Sequence, residues 1–519
     1  MDEELRKIWA KVRREHLFPE LPNPAYGEGD EKVGLDIKAK QITISRDFIN
    51  AMKDKVEESL VLEGLLDHAV SHYLYCPWDL STHLKLYGEA KKVLKDKEMA
   101  QRATDCFLDV VADTFCMAKK NSPITLIYRH CERGPLQEAI HSLLQRIWGV
   151  DLGVDGFEDL SRKLSRLPYL DRAKWRDTVR RFARAIQPLL EQEKQQRGIN
   201  TPSSTGSHSL DQYSYKELEK GLQELAQDSA RPKEFKQIVK DFEKELQEAL
   251  KSARGMMGLG SGNSFDADIL YYMKLAENYS LPVRKTPMEK SGALYPHHHT
   301  PWEVGSPYQD VDPWTSFGKI MPGITQIWKR TEGKVFGREE GVPDCVVMID
   351  SSASMADPKE HLSYAVLGAA CACDAYLRNE ARVAVYNFSD ASSGGKRLLA
   401  FSHEREEIYR AICHYFGGGT RILIEDIEEI QSSYKVGPQG SSPDIFLITD
   451  MQITNLRELI QYFNGLNNRV TAVHIGSNEH VRQFKRSMEV RKNVWIYGVE
   501  KKEDIPNIVL GRIREYMDS

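Results

Sequence analysis

The feature that most constrains the fold is a regular alternation of short apolar runs with helix-like segments between Asp344 and Ser519. The apolar runs are "CVVMID", "RVAVYNFSD", "DIFLITD", "RVTAVHIG" and "VWIYGV", and segments with helical spacing separate them. Strands that alternate with helices at this spacing predict a mostly parallel sheet with helices on both faces. In such sheets a ligand binds at the carboxyl ends of the strands, so functional side chains are expected there.

The rest of the chain has a different texture and is too long for a single core. At 519 residues, typical domain sizes imply roughly two to four domains. We predict a multi-domain protein with an α-rich N-terminal domain and a C-terminal α/β, Rossmann-like domain. The predicted segments are an α-helical domain over 1–195, a flexible linker rich in Ser, Gly, Thr and Pro over 196–215, a helical hairpin with an irregular connecting region over 216–335, and the α/β domain over 336–519.

The charge balance excludes a general attraction to nucleic acid or acidic lipid. Lys and Arg number 71 against 76 Asp and Glu, which gives a formal net charge of −5. No stretch approaches the roughly 18 uncharged apolar residues of a membrane span, and the first residues lack a signal-peptide core. Eight cysteines without a CxxC pair indicate neither a disulfide framework nor a zinc ribbon. The composition therefore predicts a cytoplasmic protein without a membrane span.

Hydroxyl and carboxylate side chains gather where the predicted strands end. The stretch "DSSASM" places Asp350, Ser352 and Ser354 on one tight loop, with every second residue facing the same side. "FGGGTR" presents Thr420 on a glycine-rich loop, and "LITDMQ" ends another strand with Asp450. Two carboxylates and three hydroxyls suit Mg²⁺, which prefers octahedral geometry at about 2.1 Å and accepts an outside ligand. We therefore expect Mg²⁺ or Mn²⁺ at these strand ends.

These elements resemble the von Willebrand factor A (vWA) domain with its metal-ion-dependent adhesion site (MIDAS). "DSSAS" is similar to the DxSxS element, "GGGT" to the loop threonine and "LITD" to the strand-end aspartate. The resemblance implies that Ser352 and Ser354 coordinate the metal directly. It further implies that Thr420 and Asp450 act directly or through water, and that Asp350 anchors the loop.

One residue departs from the pattern, and one other interpretation stays open. Met451 stands where many members of the vWA family have glycine, which bears on the local shape of the loop. The alternative is that a Ser-rich turn caps a helix while the aspartates accept hydrogen bonds from backbone amides. Three elements in the right order on the right strands favour the metal site.

A second candidate site lies in the N-terminal half, in "LLDHAVSHYLYCP". If this run is helical, His68 and His72 lie on one face at i and i+4, the separation at which HExxH helices bind zinc. The run "ATDCFLDVVADTFCMA" carries Asp105, Asp109 and Asp113 at successive i+4 steps. Like charges in a row beside a buried surface repel each other unless water or a cation intervenes. A metal ion would stabilise both stripes at once.

This pairing resembles the gluzincin metallopeptidases, in which an HExxH helix is followed by a helix with ExxxD. The resemblance implies that His68, His72 and Asp109 bind Zn²⁺ and that Asp113 holds a histidine from the second shell. Ala69 stands where the family has its catalytic glutamate, and alanine cannot move a proton. Ordinary peptidase chemistry is therefore not expected. A histidine pair bonded to aspartates without any metal remains the alternative.

The two halves together resemble cytosolic prokaryotic proteins that join a degenerate metallopeptidase-like helical domain to a vWA domain. Such proteins commonly work beside MoxR-type AAA+ ATPases. The resemblance implies an adaptor rather than an enzyme, whose MIDAS metal accepts an acidic side chain from the ATPase or from a client protein. Motion driven by nucleotide would then reach the helical domain.

Two other functions stay open from the sequence. A metal-dependent hydrolase at the histidine site would need a substitute base, for which Asp67 or Asp105 is available. An RNA-binding ribonucleoprotein component would use the basic cluster at 162–184. Asp171 and Asp177 interrupt that cluster, so nucleic acid is the less favoured partner.

Overall fold

The fold is described from a computed structural model of the chain. The structure describes residues 3–27, 32–36, 39–77, 79–197, 213–229, 231–243, 246, 266–279, 281–283, 286–288, 294–306, 308–312, 314–315, 321–332, 339–434, 442–489 and 491–510. The chain forms two compact units, Met1–Asn278 and Tyr279–Ser519. Each unit is described separately.

The first unit is mainly helical, as the sequence predicts. Its helices are α1 (Glu3–Glu15), α2 (Arg46–Met52), α3 (Glu58–Leu74), α4 (Leu80–Leu94), α5 (Lys97–Lys119), α6 (Ile124–His130), α7 (Pro135–Trp148), α8 (Glu158–Leu164), α9 (Trp175–Arg197), α10 (Tyr215–Asp228), α11 (Pro232–Asp241) and α12 (Ala267–Ala276). Three short strands, β1 (Ala25–Gly27), β2 (Val33–Asp36) and β3 (Gln41–Ser45), form a small sheet.

Helix α3 is the central helix of the first unit. Every residue from Val61 to His72 is buried, so the helix has no solvent face and no strong amphipathic pattern. It packs against α1, α5 and α6, and the small sheet covers it through Ile42 and Ile44. Helix α5 is buried over most of its length and lies beside α3. The two helices that carry the predicted zinc ligands are therefore neighbours in the core.

Side-chain caps set the starts of several helices. The Asp79 carboxylate accepts a hydrogen bond from the Thr82 amide at the start of α4, and Asp96 accepts one from Met99 at the start of α5. Ser214 and Glu217 form a reciprocal capping box at the start of α10. These capping residues fix where the three helices begin.

The predicted segment 216–335 is divided between the two units. Helices α10 and α11 belong to the first unit, where both pack against α4. A side chain at Gly221 of α10 would lie 2.8 Å from the Leu80 side chain, so glycine permits this close approach. Most of the predicted linker 196–215 falls on 198–212, outside the described residues.

The second unit contains a six-stranded sheet. Its strands are β8 (Cys345–Asp350), β9 (Val383–Phe388), β10 (Lys396–Ser402), β11 (Asp444–Thr449), β12 (Val470–Ile475) and β13 (Val494–Val499). They lie in the order β10-β9-β8-β11-β12-β13, and all neighbours are parallel except β10 and β9. The predicted mostly parallel sheet is confirmed. The antiparallel edge strand β10 was not predicted.

Helices lie on both faces of this sheet. They are α13 (Tyr364–Leu377), α14 (Arg405–Ile412), α15 (Ile424–Ser432), α16 (Leu456–Gly465) and α17 (Glu479–Met488). Met348 and Leu447 face the core shared with α15, α16 and α17, whereas Ile448 lies against Gly368 of α13 on the other face. Strands covered on both faces must be apolar at every position, which explains the continuous apolar runs in the sequence.

Two further strand pairs precede the sheet. Strand β4 (Thr286–Met288) pairs with β7 (Glu339–Gly341), and β5 (Leu294–Pro301) forms an antiparallel hairpin with β6 (Gln326–Glu332). The histidines 297–299 were expected in a solvated loop, but they lie in β5. The His299 ring packs against Trp328 and bonds to the Asp312 carboxylate at 2.8 Å, so cross-strand contacts hold this segment extended.

Candidate metal sites

Four of the five predicted MIDAS residues lie at the carboxyl ends of the central strands β8 and β11, and Thr420 lies on the glycine-rich loop that follows α14. From β8 the chain proceeds to β9 and β10 on one side, and β11 then lies on the other side of β8. Such a reversal of strand order opens a crevice at the carboxyl edge, where doubly wound sheets bind ligands. Asp350 is the last residue of β8, and Asp450 follows directly after β11.

Asp350 holds the loop that follows β8. One of its carboxylate oxygens accepts a hydrogen bond from the Ser352 amide at 2.9 Å, and the other accepts one from the Thr449 hydroxyl at 2.6 Å. The carboxylate therefore connects two strand ends and is nearly inaccessible to solvent. This geometry corresponds to the anchoring role that the vWA resemblance implies for Asp350.

The two serine hydroxyls are spaced as ligands of one small cation. The Oγ atoms of Ser352 and Ser354 lie 3.1 Å apart. Two adjacent ligands of an octahedral Mg²⁺ ion, each about 2.1 Å from the metal, are separated by about 3.0 Å. The spacing of the two oxygens therefore matches that of two Mg²⁺ ligands, and an ion there would replace the hydrogen bond that the hydroxyls share.

Backbone hydrogen bonds tie the glycine-rich loop to this site. The Ala353 amide donates to the Gly418 carbonyl at 3.0 Å, and the Thr454 amide donates to the Thr420 carbonyl at 2.9 Å. Gly417 and Gly418 have φ angles of +69° and +85°, which residues with a Cβ rarely adopt. The glycines thus allow the loop to bring buried Thr420 to the β8 end of the sheet.

Asp450 adds a second buried carboxylate to the site. Its two oxygens accept hydrogen bonds from the Gln452 amide and side chain at 2.9 and 2.8 Å. Burial raises the pKa of Asp350 to about 6, and the charge of Asp450 adds to the rise, while bonds from Ser352 and Thr449 oppose it. Two buried carboxylates near each other favour a proton or a cation between them.

Met451, which stands where many vWA domains have glycine, has a conformation that its surroundings explain. Met451 has a φ angle of +64°, in the left-handed region where glycine is the usual residue. Its side chain is fully buried among apolar residues, and its amide donates to the Thr449 hydroxyl at 3.0 Å. The loop therefore has a glycine-like backbone, which buried apolar contacts hold in place.

The histidine site brings together the three predicted zinc ligands. One ligand atom each from His68, His72 and Asp109 lie within 4.8 Å of one another, and all three residues are buried. The distance from His72 Nε2 to Asp109 Oδ1 is 3.3 Å, and that from His68 Nε2 is 3.9 Å. Two ligands of a tetrahedral Zn²⁺ ion, each about 2.0–2.1 Å from the metal, are about 3.3 Å apart. The distance from His72 to Asp109 matches this spacing, and the distance from His68 to Asp109 is longer.

Hydrogen bonds to the other ring nitrogens orient both histidines. Nδ1 of His68 lies 2.6 Å from a carboxylate oxygen of Asp113, and Nδ1 of His72 lies 2.6 Å from the Cys76 carbonyl. Both partners are acceptors, so each Nδ1 donates to its partner, and the Nε2 atom of each ring lies on the side of Asp109. Metal-binding histidines usually have such a carboxylate or carbonyl partner. The structure thus places the Asp113 carboxylate against the His68 ring nitrogen that is not near Asp109, and so in contact with the histidine that the resemblance implies it holds.

The charges around this site are those of the Asp109 and Asp113 carboxylates and, opposing them, that of the Lys32 ammonium. Burial lowers the pKa of His68, but the carboxylates of Asp113 and Asp109 outweigh that effect, and the net shift is upward. Asp113 also accepts a hydrogen bond from the Tyr128 hydroxyl, which leaves Asp109 as the carboxylate that faces the two Nε2 atoms. The donor set of two imidazoles and one carboxylate suits Zn²⁺.

Asp67, one of the two substitute bases considered from the sequence, belongs to a separate network. Its carboxylate accepts hydrogen bonds from Ser122 at 2.6 Å and Lys120 at 2.9 Å, and it pairs with His16 at 3.0 Å. His16, Asp67 and Cys116 also lie close enough to hold a metal. The Lys120 ammonium already neutralises the charge of the Asp67 carboxylate, so this network is interpreted as a structural contact between helices. Sequence reasoning missed it because its members are far apart in the chain.

The basic cluster at 162–184 is partly neutralised by acidic side chains. Arg180 pairs with Glu89 at 3.1 Å, and Arg181 pairs with Asp177 at 2.8 Å. A surface that follows a phosphate backbone needs cations free to contact phosphates. The ion pairs therefore favour a solvated protein face over an RNA-binding surface.

Comparison with known proteins gives no family for this chain. No protein-family model matches it, and no curated protein matches it.

Within the described residues, no helix is both long enough and apolar enough to cross a membrane.

Proposed function

We propose that this chain is a metal-dependent protein-interaction adaptor whose second unit is a vWA domain with a MIDAS. The observation that carries the proposal is the position of carboxylate and hydroxyl side chains at the carboxyl ends of β8 and β11, where the strand order reverses. Backbone hydrogen bonds tie the glycine-rich loop to the same strand ends. The donors of the proposed site are Asp350, Ser352, Ser354, Thr420 and Asp450. The expected ion is Mg²⁺ or Mn²⁺, because every donor is a hard oxygen.

The chain's own residues prepare this site to accept a partner's carboxylate. Ser352 and Ser354 are neutral ligands, so they leave a bound divalent ion with positive charge to share with an outside acid. The ion would supply an open coordination position. A charge-assisted contact in a partly dry site contributes a few kcal/mol, enough to make binding depend on the metal.

The partner we propose is a MoxR-type AAA+ ATPase, or a client protein that the ATPase remodels. The support is the resemblance of the two halves to cytosolic proteins of that kind. In this proposal an acidic residue of the partner binds at the MIDAS, and the helical first unit transmits or receives the nucleotide-driven motion. The protein would act in the cytoplasm and would have no catalytic residue of its own.

The test is metal-dependent binding to the purified MoxR-type ATPase of the same genome. We expect binding of the full chain in Mg²⁺, loss of binding in excess chelator, and loss in Ser352→Ala and Asp350→Ala variants. Asp357→Asn is the matched control, because Asp357 lies on the same loop and accepts a hydrogen bond from the Lys359 amide. Binding that survives both chelation and Ser352→Ala would contradict the proposal.

A second candidate function is a zinc-dependent hydrolase at the histidine site. The observation that favours it is the approach of His68, His72 and Asp109 to within 4.8 Å, with both histidines oriented from behind. Asp105, one helical turn before Asp109 and buried, is the base that this function would use. The network around Asp67 removes that residue from the role.

Metal content and activity separate the two functions. Element analysis of the purified full chain, of His68→Ala and of Asp350→Ala identifies which site holds which ion. A hydrolase would lose a measured peptidase or amidase activity in both His72→Ala and Asp105→Asn while its MIDAS binding stays intact. If the chain holds zinc but lacks activity, the site is a retained structural centre.

A further inference from the structure

The outer face of α17 carries three positive charges. Arg482 and Arg486 are exposed and Lys485 is partly exposed, and their spacing of i, i+3 and i+4 places them on one face of the helix. The opposite face is apolar and packs into the core of the unit through Val481 and Phe484. We call Arg482, Lys485 and Arg486 the basic face of α17. It lies on an ordered helix that is anchored in the core.

The cations of the basic face have no acidic partners of their own. Within the described residues, none of Arg482, Lys485 and Arg486 forms an ion pair with a carboxylate. The basic cluster at 162–184 differs, because Arg180 and Arg181 are paired with acidic side chains there. Charges that are not already paired can attract an outside acid without breaking an existing contact.

The excess of positive charge continues into the turn after α17. The segment 479–492 contains five basic and two acidic residues, whereas the whole chain has a formal net charge of −5. The basic residues outside the helix are Arg491 and Lys492, and both are exposed. The acidic residues are Glu479, at the start of α17, and Glu489, directly after its end. A local excess of one sign on an otherwise acidic chain indicates an anionic partner.

One side chain connects the start of α17 to the proposed MIDAS. The Oδ1 atom of Asn478 accepts a hydrogen bond from the Val481 amide at 2.9 Å and so caps the helix. The Nδ2 atom of the same side chain donates to the Asp450 carbonyl at 2.8 Å. Helix α17 therefore begins beside the strand end that carries Asp450, at the carboxyl edge of the sheet.

The distance from this contact to the basic face is short. An α-helix rises about 1.5 Å per residue, so Arg482 lies about 6 Å along the helix from Asn478, and Arg486 lies about 12 Å along it. An extended chain spans about 3.3 Å per residue, so about four residues cover the longer distance. One short extended segment is therefore long enough to contact the MIDAS and the basic face together.

We propose that the partner segment whose carboxylate binds at the MIDAS is acidic over several residues and continues along the basic face of α17. This inference rests on the proposed function and names the chemistry of the partner. The segment carries further Asp or Glu residues within about four positions of the metal-bound acid. These pair with Arg482 and with Lys485 or Arg486. Each exposed pair contributes little, but together they direct the segment to the metal and strengthen its binding.

The basic face is less suited to nucleic acid or to lipid. Proteins that bind single-stranded nucleic acid stack its bases on aromatic rings, and helices that lie on acidic membranes expose large apolar side chains beside their cations. Helix α17, all of which the structure describes, exposes no Phe, Tyr or Trp ring and no large apolar side chain. An acidic protein segment needs only the charges that the helix offers.

The probe is a fluorescein-labelled peptide of eight glutamates, titrated with the full chain and followed by fluorescence anisotropy. We expect binding at about 25 mM NaCl that weakens strongly by about 200 mM, because salt screens exposed charges. The double variant Arg482→Glu with Arg486→Glu should raise the Kd at least about tenfold. Lys163→Glu with Lys240→Glu is the matched control, because it makes the same change in net charge at two exposed positions of the first unit. Its Kd should change less than about twofold.

Magnesium separates the basic face from the MIDAS. Each titration is repeated in Mg²⁺ and in chelator, with the wild-type chain and with Ser352→Ala. We expect Mg²⁺ to tighten binding of the wild type but not of Ser352→Ala, and the double reversal on α17 to weaken binding in both conditions. Binding that needs Arg482 and Arg486 but ignores Mg²⁺ would contradict the MIDAS and leave the basic face as the site for an acidic segment. Binding that needs Mg²⁺ and Ser352 but ignores the reversal would support the MIDAS and overturn the inference about α17.

Two further results would overturn the proposal. The first is a wild-type chain that does not bind the glutamate peptide at low salt, either in Mg²⁺ or in chelator. The second is tighter binding of a labelled uridine octanucleotide, or of phosphatidylglycerol vesicles, than of the glutamate peptide, with loss of that binding in the double reversal. The second result would assign the basic face to nucleic acid or to lipid.

Discussion

The His141 side chain on α7 is buried and is kept in its neutral form. Burial, together with the charges of Arg133 and Lys32, lowers the pKa of His141 to about 3. The ring stacks on Tyr128, whose hydroxyl donates to the Asp113 carboxylate behind the histidine site. The neutral ring is therefore part of the packing that supports Asp113.

The lowered pKa of His141 predicts a loss of stability in acid. The folded-state pKa of about 3 lies below the ordinary 6.5, so the unfolded chain takes up the proton first as the pH falls. This group should contribute nothing above about pH 6.5 and should cost about 1.4 kcal/mol per pH unit below it. Urea unfolding of wild type and His141→Phe at pH 7.0 and 5.5 measures the difference. His130→Phe, an exposed position, should leave the slope unchanged.

Asp113 is the residue whose removal best tests the histidine site. Asp113→Asn keeps the size of the side chain but removes the charge that holds Nδ1 of His68. We expect Zn²⁺ affinity to fall about 10-fold to 100-fold, as for other groups that orient a metal-binding histidine. Competition with a chromophoric chelator measures the change, and His72→Ala should abolish binding. A wild-type chain that does not bind Zn²⁺ would remove the site from consideration.

At the scale of elements, the contact between α3 and α6 depends on Gly64. A Cβ at this position would lie 2.9 Å from the Ile124 amide nitrogen and 2.9 Å from the Ile127 side chain. The backbone atom cannot move aside as a flexible side chain can, so the two helices would have to separate. The close packing that places His68 beside α5 would be disturbed with them.

Gly64→Ala is therefore expected to destabilise the first unit. Alanine gains up to about 1 kcal/mol of helix propensity over glycine, but forced separation of packed helices costs about 1–3 kcal/mol. The net loss should appear as a lower urea midpoint. Gly465→Ala is the matched helical control, because nothing lies within 4 Å of its added Cβ. Equal midpoints for Gly64→Ala and wild type would contradict the packing argument.

The elements show which sequence signals suffice and which do not. The strands of the large sheet are predictable because burial on both faces requires apolar residues throughout, as in Cys345–Asp350. The order of the strands is not predictable, because β8 and β11 are separated by about a hundred residues and the apolar pattern does not indicate which strands pair. Strand β5 was missed because its "LYPHHHTP" sequence contains prolines and histidines that cross-strand contacts hold extended.

The candidate sites divide in the same way. His68 and His72 are predictable from helical spacing alone, since residues at i and i+4 share a face. The approach of Asp109 follows from the packing of α5 on α3, which only the structure shows. The hydrogen bond from the Thr449 hydroxyl to the Asp350 carboxylate was not predicted, because the resemblance of "LITD" concerns its aspartate and not the threonine before it.

For the whole molecule, the two sites predict two separate responses to metals. The donors of the proposed MIDAS are oxygens of the second unit, and those of the candidate histidine site include nitrogens of the first unit. A ligand present at 100 times its Kd stabilises the state that binds it by about 2.7 kcal/mol. Mg²⁺ should therefore slow hydrogen exchange in β8 and β11, and Zn²⁺ should slow it in α3 and α5.

Hydrogen exchange followed by mass spectrometry distinguishes the two responses peptide by peptide. Ser352→Ala should remove the effect of Mg²⁺ and leave that of Zn²⁺, whereas His72→Ala should do the reverse. Protection in both units from a single metal would argue against independent sites. All measurements use the full chain, so hydrogen exchange in both units is measured under identical conditions.

Strand β10 bounds one side of the large sheet, and its first residues are Lys396 and Arg397. The Lys396 ammonium lies 2.6 Å from the Asp426 carboxylate, so charge is fixed where a foreign strand would have to add. Charged side chains on an edge strand oppose the addition of a further strand and so prevent amyloid-like growth. Crowding the protein should therefore not lengthen the sheet on that side.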